Sequence, residues 1–280
     1  MSPKPSFVFF GTPDVASETL EILVSHGLIP RLVVTAPDRP VGRHFTMTPP
    51  AVKAWVDTYT TKSGTTIPIT QPEKITPEII DSLPVVDFYI VVAYGKILPQ
   101  ALIDKARIAT LNIHYSLLPK WRGASPVEAA ILHGDPETGV SIQKMVFKLD
   151  AGPVLAEKRI PIDTHDTTAT LRGKLIPIGA HLLAEMISTW DAAAFENGVI
   201  QDESLATHCG KIKKEDALVT LSDDPQTLWN KYRAYHGWPC IYFLDGDGKR
   251  VKITEAKFAN GIFTPTKVIP EGKKEITWGA

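Results

Sequence analysis

Asn112 and His114 stand two residues apart in the segment Leu111-Asn-Ile-His-Tyr-Ser-Leu-Leu-Pro119. On an extended strand that spacing projects both side chains to one face. Asp150 adds an isolated carboxylate beside glycine in Leu149-Asp-Ala-Gly152. The three types together supply what acyl transfer needs: an amide N–H for a developing oxyanion, an imidazole to hold or move a proton, and a carboxylate to orient the imidazole. No serine or cysteine nucleophile is required. Spacing alone does not join Asp150 to His114, and an isolated Asn-x-His pair serves equally well to end a strand and pack its tip.

Other chemistry is less well supported. Among eight His there is no H-E-x-x-H, and Cys209 and Cys240 are the only cysteines. No metal is therefore expected. Gly11-Thr12-Pro13 resembles a nucleotide-binding turn but lacks G-x-G-x-x-G, so it reads as a turn with Thr12 as helix N-cap and Pro13 at the first helical position. Trp121 beside Arg122 is suited to stacking on a base or sugar, or simply to closing its loop.

The trio must be held by the elements around it. The first half alternates short β-branched and aromatic runs with helical patterns, the sequence form of an open, mostly parallel sheet with helices on both faces. Strands are expected at Ser6–Phe10, Arg31–Ala36, Thr66–Thr70, Val85–Ala93 and Ala109–His114. Helices are expected at Pro50–Lys62, Thr76–Leu83, Pro99–Ala106 and Ser125–His133. Asn112 and His114 then lie at the carboxyl end of a parallel strand, where open α/β sheets bind ligands. After Asp150 the pattern predicts a strand over Val154–Ile162 and a long helix over Thr167–Trp190 that carries Pro177. Asp191–Thr207 has no sustained period and reads as a linker. Beyond it come a helix at Pro225–His236 and short alternating runs with Asp245–Gly248 as a hairpin turn. The expected organisation is a catalytic domain over 1–190, a linker over 191–207 and a small β-rich domain over 208–280.

The class of the chain follows from its composition. With 280 residues, 44% hydrophobic and 22% charged, it is neither disordered, collagenous nor coiled coil. No run of about 18 apolar residues predicts a membrane span, and the start meets Pro and Asp too early for a signal peptide. Two cysteines fit a reducing compartment, so a cytoplasmic location without membrane association is expected, and a monomer.

The segment NIHYSLLPKWRGASPV resembles the signature of the 10-formyltetrahydrofolate-dependent formyltransferases. Five further stretches resemble those members of the family that act on aminoacylated tRNA: Phe10–Asp14, Ala36–Arg43, Val91–Pro99, Gly134–Val140, and Gln201–Glu203 followed by Lys211–Asp216. The likeness runs in order from about residue 6 to about residue 275. It implies a Rossmann-like catalytic domain followed by a reduced OB-like β-barrel. It further implies transfer of a formyl group from 10-formyltetrahydrofolate, as co-substrate, to the α-amine of methionine on initiator tRNA. The catalytic trio of the family falls on Asn112, His114 and Asp150, and its folate contacts on Ser116, Leu117, Leu118 and Pro119, with Tyr94 and Gly95. Candidate tRNA contacts are Arg39, Arg43, His44, Lys211, Lys213 and Lys214. The loop Pro37–Pro50 contains no Lys, so it is expected to act on tRNA by shape and by stacking through Phe45 as well as by charge. Two alternatives share the trio or the fold: a formyltransferase acting on an amino sugar or glycinamide ribonucleotide, and an RNA-binding protein with an inactive site.

The net charge of −1 at first argues against a nucleic-acid partner. Its distribution reverses that for one part of the chain. Up to Thr207 there are 18 basic and 22 acidic residues, and beyond it 12 and 9, so −4 and +3. The small C-terminal domain is the basic one.

Overall fold

The structure, a computed structural model, describes residues 4–42, 45–189 and 195–279. In chain order the strands are β1 (Phe7–Gly11), β2 (Leu32–Val34), β3 (Arg39–Val41), β4 (Thr46–Thr48), β5 (Ile69–Thr70), β6 (Phe88–Val92), β7 (Ala109–His114), β8 (Arg122–Gly123), β9 (Glu137–Lys144), β10 (Val154–Pro161), β11 (His208–Cys209), β12 (Tyr242–Leu244), β13 (Arg250–Ala259), β14 (Ile262–Pro270) and β15 (Ile276–Thr277). The helices are α1 (Asp14–Ser25), α2 (Ala51–Ser63), α3 (Pro77–Ser82), α4 (Gln100–Ile103), α5 (Pro126–Leu132), α6 (Thr168–Ser188) and α7 (Pro225–Ala234).

Seven strands form one sheet in the order β10-β9-β7-β6-β1-β2-β5. Strands β7, β6, β1, β2 and β5 are parallel, and β9 runs antiparallel to β7. The near-continuous apolar runs FVFFG and FYIVV become β1 and β6, buried at every position, as central parallel strands require. From β1 the chain passes to β2 and β5 on one side and then returns to β6 and β7 on the other. The order therefore reverses between β1 and β6, and it is outside the carboxyl ends of strands at such a reversal that open α/β sheets bind ligands.

Several elements differ from expectation for identifiable reasons. Proline has no N–H to give a ladder, so at Pro68 only the carbonyl takes part, accepting from Val33 N at 2.9 Å, and β5 is just Ile69–Thr70. Pro13, not Thr12, is the N-cap of α1, and Thr12 Oγ1 instead donates to Tyr94 O at 3.2 Å. That bond ties the loop after β1 to the loop after β6. Strand β9 was not expected, and neither was the β3–β4 hairpin with register Arg39↔Thr48. Helix α6 packs closely on the sheet at Gly179, where an added Cβ would stand 2.9 Å from Ile113 Cγ2 and 3.0 Å from Val140 Cγ1.

The chain divides into two compact units, one of Met1–Pro119, Gly139–Lys158 and Leu175–Ala206, the other of Lys120–Thr138, Arg159–Lys174 and Thr207–Ala280. Of the expected linker, residues 191–194 lie outside the described residues, as does Trp190. Residues 195–206 pack within the first unit, and Thr207 belongs to the second. Phe195 is buried with its ring 4.9 Å from that of Phe88, and Val199 bridges Val154.

In the second unit, Asp224 caps α7 by accepting from Thr227 N at 2.8 Å, with Pro225 opening the helix. The reduced barrel is, among the described residues, an open four-stranded antiparallel sheet in the order β12-β13-β14-β15. Asn260 and Gly261, both at positive φ, turn β13 into β14 in two residues, the turn chemistry hairpins favour. Trp229 of α7 stacks on Phe258 of β13 with centroids 5.8 Å apart.

Candidate active site

Strand β7 presents Asn112 and His114 on one face, and its pairing with β9 sets Asn112 opposite Gln143 and His114 opposite Ser141. Asn112 Nδ2 donates to Val91 O on β6 at 3.0 Å, and Asn112 Oδ1 accepts from Gln143 Nε2 at 3.1 Å. An asparagine amide carries two N–H groups. One is committed to Val91, and among the described residues the half-buried side chain makes no hydrogen bond with the other.

Gln143 Nε2 also donates to Asp150 Oδ1 at 2.9 Å. That same carboxylate oxygen lies 3.7 Å from His114 Nδ1, with both side chains largely buried. The separation suits an ion pair and is longer than a hydrogen bond. Asp150 is thus joined to His114 directly and to Asn112 through Gln143, a link that spacing could not show.

The loop that delivers Asp150 is tightly built. Asp150 takes a left-handed backbone at φ 49, uncommon for a non-glycine residue. At Gly152 an added Cβ would stand 1.8 Å from Lys144 O, so only glycine fits. Gln201 spans the loop, its Nε2 donating to Asp150 O at 2.9 Å and to Gly152 O at 2.7 Å. Gln201 is buried, and it comes from the segment expected to be a linker.

Ser116–Pro119 follows β7 directly. Ser141 staples it: its hydroxyl donates to Ser116 O at 2.7 Å and accepts from Leu118 N at 3.1 Å. Ser116, Leu117 and Leu118 are buried and Pro119 is half-buried. Tyr94 and Gly95 lie in the turn after β6, with Ala93 and Gly95 at positive φ. The Tyr94 ring belongs to the core beside Phe10, edge to face at 5.5 Å, and burial pushes its hydroxyl pKa up to about 12. The Tyr94 side chain thus belongs to the core, while its carbonyl accepts from Thr12.

Two comparisons with known sequences bear on this arrangement. The family described as "Formyl transferase" matches residues 6–187, and "Formyl transferase, C-terminal domain" matches residues 211–277. Methionyl-tRNA formyltransferase of Geotalea uraniireducens is 38% identical over 273 residues, covering 96% of this chain and 84% of the relative. That of Staphylococcus aureus strain MRSA252 is 37% identical over 275 residues, covering 96% and 85%. The chain belongs to the methionyl-tRNA formyltransferase family.

Among solved structures, the formyltransferase fold recurs in a 4-N formyltransferase from Francisella tularensis, with TM-score 0.66, 15% identity and coverage of 90% of this chain and 97% of that one. It recurs in a sugar N-formyltransferase from Shewanella sp FDAARGOS_354, at 0.64, 18%, 91% and 99%. HypX from Aquifex aeolicus, solved with tetrahydrofolic acid, aligns at 0.60 with 16% identity over 98% of this chain and 46% of its own. These share the fold. Among the described residues of this formyltransferase, no group of three or more His, Cys, Asp or Glu is placed to hold a metal ion, and no helix is long and apolar enough to cross a membrane.

Of the expected tRNA contacts, Arg39 belongs to the first unit and Lys211, Lys213 and Lys214 to the second. Arg39 stands on β3 as an exposed residue, its Nη2 2.5 Å from Glu73 Oε2. Arg43 and His44 lie outside the described residues. Phe45 and Met47 of the same hairpin are exposed apolar side chains. Lys211, Lys213 and Lys214 are exposed in the second unit of the formyltransferase.

Two functional candidates escaped the sequence reading, Gln143 and Gln201. Gln201 had a signal, since Gln201-Asp-Glu203 carried the family resemblance, yet a lone glutamine in an aperiodic stretch has no readable role. Gln143 had none, because β9 itself was not foreseen.

Proposed function

We propose that Asn112, His114 and Asp150 are the groups with which this formyltransferase moves the formyl group of 10-formyltetrahydrofolate onto the α-amine of initiator Met-tRNA. The observation that carries this is the uncommitted N–H of Asn112, held beside an Asp150–His114 pair at the carboxyl end of β7. A half-buried amide donor of this kind suits a formyl oxygen, so the residues present fit the co-substrate.

The chemistry follows from the needs of the reaction. A free α-amino group titrates at about 7.7–8.0, so a neutral amine is readily available and a modest base suffices. Its nitrogen bonds to the formyl carbon as the carbonyl π electrons pass to oxygen. The Asn112 N–H and the His114 ring stabilise that oxyanion. When the tetrahedral centre collapses, the bond from carbon to N10 breaks and N10 takes up the proton that the incoming amine loses. Asp150, whose carboxylate lies 3.7 Å from His114 Nδ1, orients the ring toward the reacting groups. The stapled Ser116–Pro119 loop and the backbone of Tyr94 and Gly95 contact the folate.

On this reading the basic second unit approaches the tRNA through Lys211, Lys213 and Lys214, the β3–β4 hairpin does so through Arg39 and its exposed Phe45, and Arg43 and His44 are further contacts. The chain acts as a cytoplasmic monomer. The test is formylation by the purified chain of initiator Met-tRNA, elongator Met-tRNA, an aminated sugar nucleotide and glycinamide ribonucleotide. Initiator Met-tRNA is expected to gain the formyl group, and formylation of the sugar or the ribonucleotide instead would overturn the assignment. Asn112→Ala is expected to lower kcat by about 10²–10³, the usual cost of one oxyanion donor.

A further inference from the structure

An asparagine amide is nearly symmetric in shape but opposite in chemistry at its two ends. If Asn112 turned over, it would offer the substrate an oxygen where the reaction needs an N–H. Something must hold it, and Val91 alone makes one bond to it. The second hold comes from across the β7–β9 ladder. Gln143 is 2% exposed and sits opposite Asn112, with its Nε2 3.1 Å from Asn112 Oδ1 and 2.9 Å from Asp150 Oδ1.

The orientation of both amides is determined by what surrounds them. An ionised carboxylate only accepts, so Asp150 requires the N–H₂ end of Gln143. The other Nε2 hydrogen then points at Asn112 and requires an acceptor there, which is Oδ1. At the far end Val91 O only accepts and requires Nδ2. A reversed Asn112 would set two donors against each other at Gln143 and two acceptors against each other at Val91. The chain Asp150–Gln143–Asn112–Val91 is therefore consistent in one sense only, and that sense leaves an N–H for the oxyanion.

We propose that Gln143 is a positioning residue for formyl transfer, locking the Asn112 amide with its remaining N–H toward the reacting carbonyl. The inference rests on the reading of Asn112 as the oxyanion donor. By donating to Asn112 Oδ1, Gln143 also polarises that amide and strengthens its N–H, as hydrogen bonds in series do.

Gln143→Met keeps the length of the side chain and removes both N–H groups. In formylation of initiator Met-tRNA its kcat is expected to fall about 10–100-fold, part of the loss of the whole donor, with KM for tRNA and for 10-formyltetrahydrofolate changing less than about threefold. Thermal melting establishes the folded fraction to which kcat is referred. If the Met variant does not accumulate, Gln143→Glu serves, since its carboxylate has no N–H to give Asn112, and the same loss is expected. The double variant Asn112→Ala/Gln143→Met should lie within about threefold of Asn112→Ala, because the donor that Gln143 serves is already gone. A fully active Asn112→Ala overturns the reading of Asn112 and this inference with it. If Asn112→Ala is impaired, the reading of Asn112 stands, and any of three results overturns the role of Gln143: unchanged kcat in its variants, a loss confined to KM, or a double variant that falls by the product of the single losses.

Discussion

Replacing Gln201 by Leu keeps a side chain of similar size and removes the N–H₂ that clamps the Asp150 loop. Two carbonyls, Asp150 O and Gly152 O, each lose the hydrogen bond from Gln201. At about 1 kcal/mol net for each hydrogen bond, the cost to stability is about 2 kcal/mol. For a chain of this size that lowers Tm by about 4–8 °C. The effect on rate has a separate origin. Asp150 holds a left-handed backbone at φ 49, which costs a non-glycine residue about 1 kcal/mol or more. With the clamp gone the loop relaxes toward an unstrained conformation, and at about 1.4 kcal/mol per factor of ten the productive loop is populated about five- to tenfold less. The kcat for formylation of initiator Met-tRNA should fall by that factor, with KM for tRNA unchanged. Steady-state formylation and a melting curve on the same preparation provide both numbers. A variant that loses the full Tm but keeps wild-type kcat would refute the reasoning, since the loop would then be held without Gln201.

The remaining predictions concern the second unit. Glu128 is buried and accepts from Arg172, which is 48% exposed; burial outweighs the arginine and raises the carboxyl pKa above its ordinary value. A raised pKa means that the ionised form is disfavoured in the fold, so this contribution is full below about pH 4.5 and is lost as pH rises through the folded pKa. Glu128→Gln should match the wild-type stability at pH 4 and equal or exceed it by up to about 1 kcal/mol at pH 7.5, and a lower Tm than wild type at pH 7.5 would contradict this. Replacing Lys211, Lys213 and Lys214 together by Ala should weaken tRNA binding and reduce the slope of log K on log salt by about 0.7–0.9 for each phosphate that is no longer neutralised; an unchanged slope removes them from the interface.

Much of the fold was legible because it depends on local patterns. The apolar runs of β1 and β6, the Asp224–Pro225 start of α7 and the alternation of strand and helix each follow from side chains within a few residues of one another. Boundaries were blurred where a single backbone group decided them, as at Pro68, whose missing N–H delays β5, and at Thr12, whose hydroxyl is drawn to Tyr94 O instead of to the helix. Strand β9 was missed because its sequence ETGVSIQK mixes polar and apolar residues that are nevertheless nearly all buried. Its burial comes from packing on both faces, which no local period records.

The sequence by itself determined the chemical inventory of the site: Asn112 and His114 on one strand face, a glycine-flanked Asp150, and family likeness along most of the chain. It also determined that the basic excess lies beyond Thr207. The tertiary structure decided how those groups are held. Gln143 meets Asn112 from 31 positions away and Gln201 meets Asp150 from 51 positions away. Such contacts depend on strand register and on loop closure, which bring distant residues within hydrogen-bond reach and which the fold supplies only as a whole.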